Sequence, residues 1–94
     1  MGLTFEWDEN KADRNLKKHG VSFEEASTVF ADPLSRTIAD PLHSEEEDRF
    51  VILGQSHRTR LLVIVSTERG ENLRIISARP AGRRERKDYE EGIE

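Results

Sequence analysis

The chain lacks cysteine altogether, which excludes disulfides and thiolate metal sites and favours a reducing compartment such as the cytoplasm. It lacks an apolar run long enough to span a bilayer, and the opening Met-Gly-Leu-Thr is not typical of a signal peptide. A glycine-rich phosphate loop is also missing, and His19, His43 and His57 do not have the spacing of zinc ligands. We therefore expect a single cytoplasmic domain, residues 1–94, that needs no metal or cofactor.

Charge, by contrast, is abundant and unevenly distributed. Charged residues make up 36% of the chain and apolar residues 34%, so the core must be small. Residues 1–48 hold 5 basic and 12 acidic side chains, whereas residues 49–87 hold 10 basic and 3 acidic. The net charge of −4 thus conceals a basic segment, which predicts one cationic surface on an acidic body. The alternative is solvated charge that the fold mixes evenly.

The first elements are predicted by alternation and by capping residues. Residues 3–7 alternate apolar and polar side chains, which predicts a short strand. Asp8 then has the position of an N-cap for a helix that runs to about His19. Gly20 supplies the left-handed residue that ends such a helix.

A second helix start follows at once. Ser22 and Glu25 have the spacing of a capping box, in which each side chain would bond a backbone amide of the other. Asp32-Pro33 ends this helix, because proline disfavours helical geometry in the residue before it. The apolar stripe of the helix is Phe23, Ala26, Val29 and Phe30.

The second half of the chain is predicted to be mainly strands, at residues 34–40, 49–57, 60–69 and 72–79. Residues 41–48 are too acidic to be buried and predict a loop. Pro80 and Gly82 separate the last strand from a charged helix at residues 83–91, in which Tyr89 is the side chain suited to docking. Consecutive strands with short turns form an antiparallel sheet, and helices placed before them make the fold class α+β.

Arginines mark the margins of the hairpin formed by the last two predicted strands. Regular alternation puts Arg79 in one row with Leu73, Ile75 and Ser77, so we expect it at a core-facing margin of the sheet. Arg74 is expected on the other face, in a structural or surface role. For Arg60, an exposed strand position without function is an equally good interpretation.

Arginine together with histidine, lysine and glutamate suffices for one well-defined reaction, the cleavage of RNA through its own 2′-hydroxyl. The substrate supplies the nucleophile, and the protein supplies a base, a cation for the phosphorane charge and an acid for the leaving 5′-oxygen. The planar fork of arginine can hold two phosphate oxygens at once. No metal ion is required for this reaction.

Several motifs in combination resemble the BrnT family, the toxin halves of type II toxin–antitoxin pairs. They are F-E-W-D at residues 5–8, K-H-G-V-S-F-E-E-A at 18–26, H-S…E…R at 43–49 and R-I-I-S-A-R at 74–79. The resemblance spans residues 5 to about 91, and the combination is specific although each motif alone is weak. It implies a RelE-like fold and metal-independent RNA cleavage that inhibits translation and growth. It also implies a BrnA-like ribbon-helix-helix antitoxin, joint repression of the operon through operator DNA, and assembly as a dimer or a heterotetramer with that antitoxin.

The resemblance also implies catalytic residues. Arg79 and Arg60 are implied as groups that bind the phosphate and stabilise the transition state. His43 or Glu47 is implied as the group that transfers protons. Glu47 has an alternative role as an ion-pair partner of Arg49.

A second set is implied in substrate binding: Lys18 or His19 as a supporting cation, and Arg49. Lys18 and His19 also suit the negative end of a helix dipole, which is the alternative for both. At the function level, the alternative is a non-catalytic module that binds the antitoxin as a co-repressor or binds RNA without cutting it. Members of the family usually carry glycine in the turn where this chain has His57-Arg58-Thr59, which predicts an altered turn without loss of activity.

Overall fold

The computed structural model describes residues 3–39 and 49–92, and the predicted loop at 41–48 lies outside them. The elements of these residues are β1 Thr4–Glu6, α1 Glu9–His19, α2 Phe23–Ser27, a 3-10 turn Thr28–Ala31, β2 Arg36–Ala39, β3 Arg49–Gln55, β4 Leu61–Arg69, β5 Asn72–Pro80 and α3 Arg83–Glu91. The α+β class is confirmed, because the described residues form three helices and a five-stranded sheet of order β1-β5-β4-β3-β2. Neighbouring strands are antiparallel, except that β1 runs parallel to β5.

Helix α1 has the ends that its sequence predicts. The Asp8 carboxylate accepts a hydrogen bond from the backbone N–H of Lys11 at 3.0 Å, which satisfies one orphan donor of the first turn. Gly20 ends the helix at φ 72°, and its N–H donates to the Leu16 carbonyl at 2.8 Å. Only a residue without a Cβ adopts this left-handed conformation readily.

Helix α2 begins as predicted but uses only half of the expected capping box. The Ser22 hydroxyl accepts from the backbone N–H of Glu25 at 3.0 Å. The Glu25 carboxylate does not complete the box, because it is engaged by the side chains of Ser56 and Arg60. After one and a half turns the helix tightens into the 3-10 turn and ends before Pro33.

The core lies on both sides of β4, as the apolar run of that strand predicts. On one side, Leu62 and Ile64 are fully buried against the two N-terminal helices. On the other side, Leu61 and Val63 pack against Tyr89 of α3. The side bearing α1 and α2 is called the helix side below; its apolar cluster is Val21, Phe23, Ala26, Val29, Ile52, Leu62, Ile64, Ile75 and Ala78.

Tyr89 docks α3, as predicted, and it also makes a specific polar contact. Its hydroxyl donates to Asp32 Oδ2 at 2.6 Å. Burial and this hydrogen bond raise the pKa of Tyr89 to about 12. Asp32 also accepts from the backbone N–H groups of Leu34 and Gln55, so one carboxylate joins the end of the 3-10 turn, β3 and α3.

The turn between β3 and β4 departs from ordinary geometry at Thr59. This residue has φ 61°, and among the described non-glycine residues it is the one with positive φ. A β-branched side chain is strained in this region, at a cost of about 1–3 kcal/mol. The strained residue lies in the predicted altered turn, where glycine would remove the steric conflict.

We therefore expect Thr59→Gly to stabilise the fold by about 1 kcal/mol, the relief of strain being partly offset by the flexibility that glycine adds to the unfolded chain. Thermal unfolding monitored by circular dichroism measures this, with Thr37→Gly, at an exposed position of strand β2, as the matched control, where glycine destabilises. Equal destabilisation by both substitutions would show that the backbone at Thr59 is not strained.

Candidate functional site

The side of the sheet opposite the helix side is rich in arginine. Side chains alternate between the two sides of a strand, and the pairing registers place the same side of neighbouring strands together. Helix α3 covers this side at one end, where Ala81 and Tyr89 pack on the apolar cluster around Leu61. We call this side the arginine face, after five residues that alternation assigns to it: Arg36, Arg49, Arg69, Arg74 and Arg79.

Arg79 reaches this face because of a bulge in β5. Val65 pairs with Ser77 and the next residue, Ser66, pairs with Ile75, so Ile76 is an extra residue in β5. An extra residue inverts the alternation beyond it. The predicted row that joined Arg79 to Leu73 and Ile75 is therefore wrong: Ile75 lies on the helix side, and Arg79 lies on the arginine face opposite Val63.

The guanidinium of Arg79 is held by Glu85 of α3 in a two-pronged ion pair. Its Nη1 donates to Oε1 at 2.9 Å and its Nη2 donates to Oε2 at 2.7 Å. The pair is partly open to solvent, since 44% of the Arg79 side chain and 33% of the Glu85 side chain are exposed. The hydrogen bonds from Arg79 lower the pKa of Glu85, and the same bonds raise the pKa of Arg79.

A second arginine–glutamate pair lies farther along the arginine face. Arg74 Nη1 donates to Oε2 of Glu6 at 3.0 Å, and Asn72 donates to Oε1 of the same carboxylate at 3.0 Å. The bonds from Asn72 and Arg74 lower the pKa of Glu6. Arg49 and Arg74 flank Thr67 in one row across three strands, which puts their Cα atoms roughly 10 Å apart.

Arg60 belongs to the other side of the molecule. Its Nε donates to Glu25 Oε2 at 2.9 Å, its Nη2 also binds Glu25, and Nη2 donates to the Gly20 carbonyl at 2.9 Å. The Glu25 side chain is 3% exposed and also accepts from Ser56 Oγ at 2.7 Å. The bonds from Arg60, with help from Ser56 and against the effect of burial, lower the pKa of Glu25 to about 2. This network ties the corner between α1 and α2 to the start of β4.

The residues predicted from the sequence are therefore divided between two sides. Arg79 and Arg49 lie on the arginine face. Lys18 and His19 are the last residues of α1 and precede Gly20, whose carbonyl accepts a bond from Arg60. Lys18, His19 and Arg60 therefore lie toward the helix side. His43 and Glu47 lie outside the described residues.

Sequence reasoning did not anticipate the contacts of three polar residues, two of them at or beside Arg79 and one at Arg60. Glu85 looked like one charge among many in α3. Glu25 had the spacing of a cap, which hid its ion pair. Asn15 is 8% exposed and clamps β5 next to Arg79: its amide donates to the Ala78 carbonyl at 2.8 Å and accepts from the Ala78 N–H at 3.1 Å. A polar residue on the buried stripe of α1 was the signal available for Asn15.

An open hollow of about 360 Å³ lies on the helix side, near the β4–β5 turn. Its lining includes the apolar residues Leu3, Phe30 and Phe50 and the acidic residues Glu68 and Glu71. Carboxylates repel phosphate groups, so this hollow is poorly suited to a polyanion. The arginine face is the better candidate for that kind of ligand.

Within residues 3–39 and 49–92, no three histidine, aspartate or glutamate side chains are grouped so that they could hold a metal ion. Among the helices of the same residues, none is both long and apolar enough to cross a bilayer.

The fold and the site together define a small α+β protein with an arginine-lined sheet face, the kind of surface that binds the backbone of a nucleic acid. Residues 7–85 match the model of the family described as "Ribonuclease toxin, BrnT, of type II toxin-antitoxin system". The chain belongs to this family, which confirms the resemblance noted in its sequence and implies an antitoxin partner.

The fold is also similar to a solved structure, that of the Brucella abortus ribonuclease toxin BrnT. The match has a TM-score of 0.68 and 21% sequence identity, and it covers 87% of this chain and 100% of the Brucella chain. At this identity the likeness concerns the fold. No curated protein matched the chain.

Proposed function

We propose that this chain is a metal-independent endoribonuclease that cleaves RNA through attack of the RNA's own 2′-hydroxyl and thereby inhibits translation and growth. The observation that carries the proposal is Arg79, whose partly exposed, two-pronged guanidinium lies at the margin of the arginine face. Membership in a family of ribonuclease toxins supports RNA as the polyanion. The proposal includes a RelE-like fold, which the five-stranded sheet packed against the two N-terminal helices supports.

In the proposed reaction, Arg79 binds two non-bridging oxygens of the scissile phosphate. As the 2′-oxygen attacks, negative charge grows on these oxygens, and a fixed guanidinium stabilises the transition state more than the ground state. Arg49 and Arg74, farther along the same face, bind flanking phosphates and hold the RNA in register. Arginine serves here better than lysine because its planar fork matches two oxygens.

Proton transfer is assigned to His43 or Glu47. The assigned group takes the proton of the 2′-hydroxyl as this oxygen attacks, and the leaving 5′-oxygen takes up a proton from that group or from water. Glu47 stands two positions before Arg49 in the sequence, and Arg49 begins β3 on the arginine face. The proposal for this pair therefore rests on the family resemblance and on that proximity in the chain.

The other predicted residues receive different roles in the proposal. Lys18 and His19 remain candidate supporting cations for parts of the RNA that extend beyond the arginine face. For Arg60, the contacts with Glu25 and Gly20 favour a role in stability over a role on the phosphate.

The decisive experiment incubates the purified chain with a short single-stranded RNA in excess EDTA. We expect cleavage that leaves a 2′,3′-cyclic phosphate, as judged by mass spectrometry of the products. The matched control is the same RNA with 2′-O-methyl groups, which has no free nucleophile and should stay intact. No cleavage of the first RNA, or cleavage only with added divalent metal, would refute the proposed reaction.

We further propose a BrnA-like ribbon-helix-helix antitoxin that neutralises the toxin, in a dimer or heterotetramer that represses its operon through operator DNA. Induced expression of the chain should slow growth, and co-expression of a small ribbon-helix-helix protein encoded next to it should restore growth. If expression is harmless and RNA is not cut, while the partner still binds, the non-catalytic co-repressor is the better interpretation.

A further inference from the structure

The carboxylate of Glu85 occupies the position on Arg79 that a substrate phosphate needs. Both terminal nitrogens of the guanidinium donate to it, one to each oxygen, at 2.9 and 2.7 Å. A phosphodiester presents two non-bridging oxygens to the same fork in the same way. Carboxylate and phosphate therefore cannot both use these two donors.

We infer that Glu85 is an internal competitor for the phosphate site of Arg79 and sets how tightly the arginine face binds RNA. This inference rests on the proposed function, because it identifies what RNA must displace. It assigns Glu85 a role that neither its place in α3 nor the charge pattern of that helix indicates.

Displacement of Glu85 does not require α3 to leave the sheet. The helix is docked independently by the Tyr89–Asp32 hydrogen bond and by the packing of Tyr89 on the apolar cluster around Leu61, which Ala81, two residues before the helix, also contacts. Rotation of the Glu85 side chain is then sufficient to release both terminal nitrogens of Arg79 from the carboxylate, while Nη1 keeps its longer bond to the Pro80 carbonyl at 3.3 Å. The cost of that rotation includes the bond from the Gly82 N–H to Glu85 Oε1, at 2.8 Å.

The strength of the competition follows from the exposure of the pair. Partly solvated ion pairs are weak, so RNA can replace Glu85 without a large penalty. Removal of the competing charge should therefore tighten RNA binding by about two- to fivefold, and not by orders of magnitude.

The test is Glu85→Gln, which retains the size of the side chain and removes its charge. Binding is measured by fluorescence anisotropy with a labelled, uncleavable 2′-O-methyl RNA, and cleavage is measured with the unmodified RNA. We expect Kd and KM to fall about two- to fivefold while kcat stays within twofold of the wild type. If Glu85 instead positioned Arg79 or transferred a proton, kcat would fall, and the inference would be wrong.

Glu90→Gln is the matched control, because it removes one negative charge from the same helix, where Glu90 lies 4.0 Å from Arg86, a residue with no assigned part in RNA binding. Equal tightening by both variants would mean a general effect of charge and would overturn the inference for Glu85. Arg79→Ala separates this inference from the proposed function. If Arg79→Ala weakens RNA binding but Glu85→Gln does not tighten it, only the competition fails; if Arg79→Ala leaves binding unchanged, Arg79 is not in the RNA site.

Discussion

Arg79→Ala is expected to lower the rate of RNA cleavage by about 10²- to 10³-fold while leaving the protein folded. The rate falls because the variant loses the donors assigned to the charge that develops on the phosphate, and loss of one such group typically costs this much. The fold persists because the Arg79–Glu85 pair is partly exposed and contributes less than about 1 kcal/mol to stability. Single-turnover cleavage in EDTA, with circular dichroism of the same samples, measures both effects.

Two further variants sharpen this experiment. Arg79→Lys retains the positive charge but loses the fork, so we expect an intermediate rate, which would show that geometry matters as well as charge. Arg58→Ala is the matched control, because that side chain is 65% exposed and lies beside Glu25, away from the arginine face. Cleavage at the wild-type rate by Arg79→Ala, at equal protein concentration, would remove Arg79 from the reaction even if the chain is a ribonuclease.

Elements that depend on neighbouring residues could be predicted from the sequence. The ends of α1 follow from Asp8 and Gly20, and the hairpin turn follows from Gly70, which has φ 62°. Each of these signals acts within a few positions of the chain, so a short window of sequence contains its cause. The existence of the strands and their order along the chain were predictable for the same reason.

The composition of the site was not predictable, because it depends on contacts between distant residues. No glycine or proline near Ile76 indicates a bulge in the sequence, yet the bulge moves Arg79 to the opposite side of the sheet. Glu25 matches a local cap, but its carboxylate binds Arg60, 35 positions away. One extra residue in one strand was thus sufficient to separate Arg79 from Arg60, which the resemblance had placed in one catalytic set.

Arg60→Ala is expected to destabilise the fold strongly without abolishing cleavage by the molecules that remain folded. It would leave the Glu25 carboxylate, 3% exposed, with the Ser56 hydroxyl and the more distant Arg58 at 3.8 Å, and the Gly20 carbonyl without the bond from Arg60. Removing one partner of a buried ion pair lowers the free energy of unfolding by about 3–5 kcal/mol. Because 36% of the Arg60 side chain is exposed, we expect a smaller loss of about 2–3 kcal/mol. For a domain of this size, that lowers Tm by roughly 10–20 °C. A large loss of kcat at unchanged stability would instead support a catalytic Arg60.

The pH dependence of unfolding separates this ion pair from other causes of instability. The folded state holds the pKa of Glu25 at about 2, below its ordinary value of 4.5, so the pair stabilises the protein above pH 4.5. This contribution is lost as the pH falls from 4.5 toward 2, because protonation of Glu25 removes the charge that Arg60 binds. The difference in unfolding free energy between wild type and Arg60→Ala should therefore shrink over that range. Urea unfolding at pH 7, 4 and 3 measures it, with Arg74→Ala as the control for a partly exposed pair. A difference that stayed constant down to pH 3 would mean that Arg60 stabilises the fold through packing and not through Glu25.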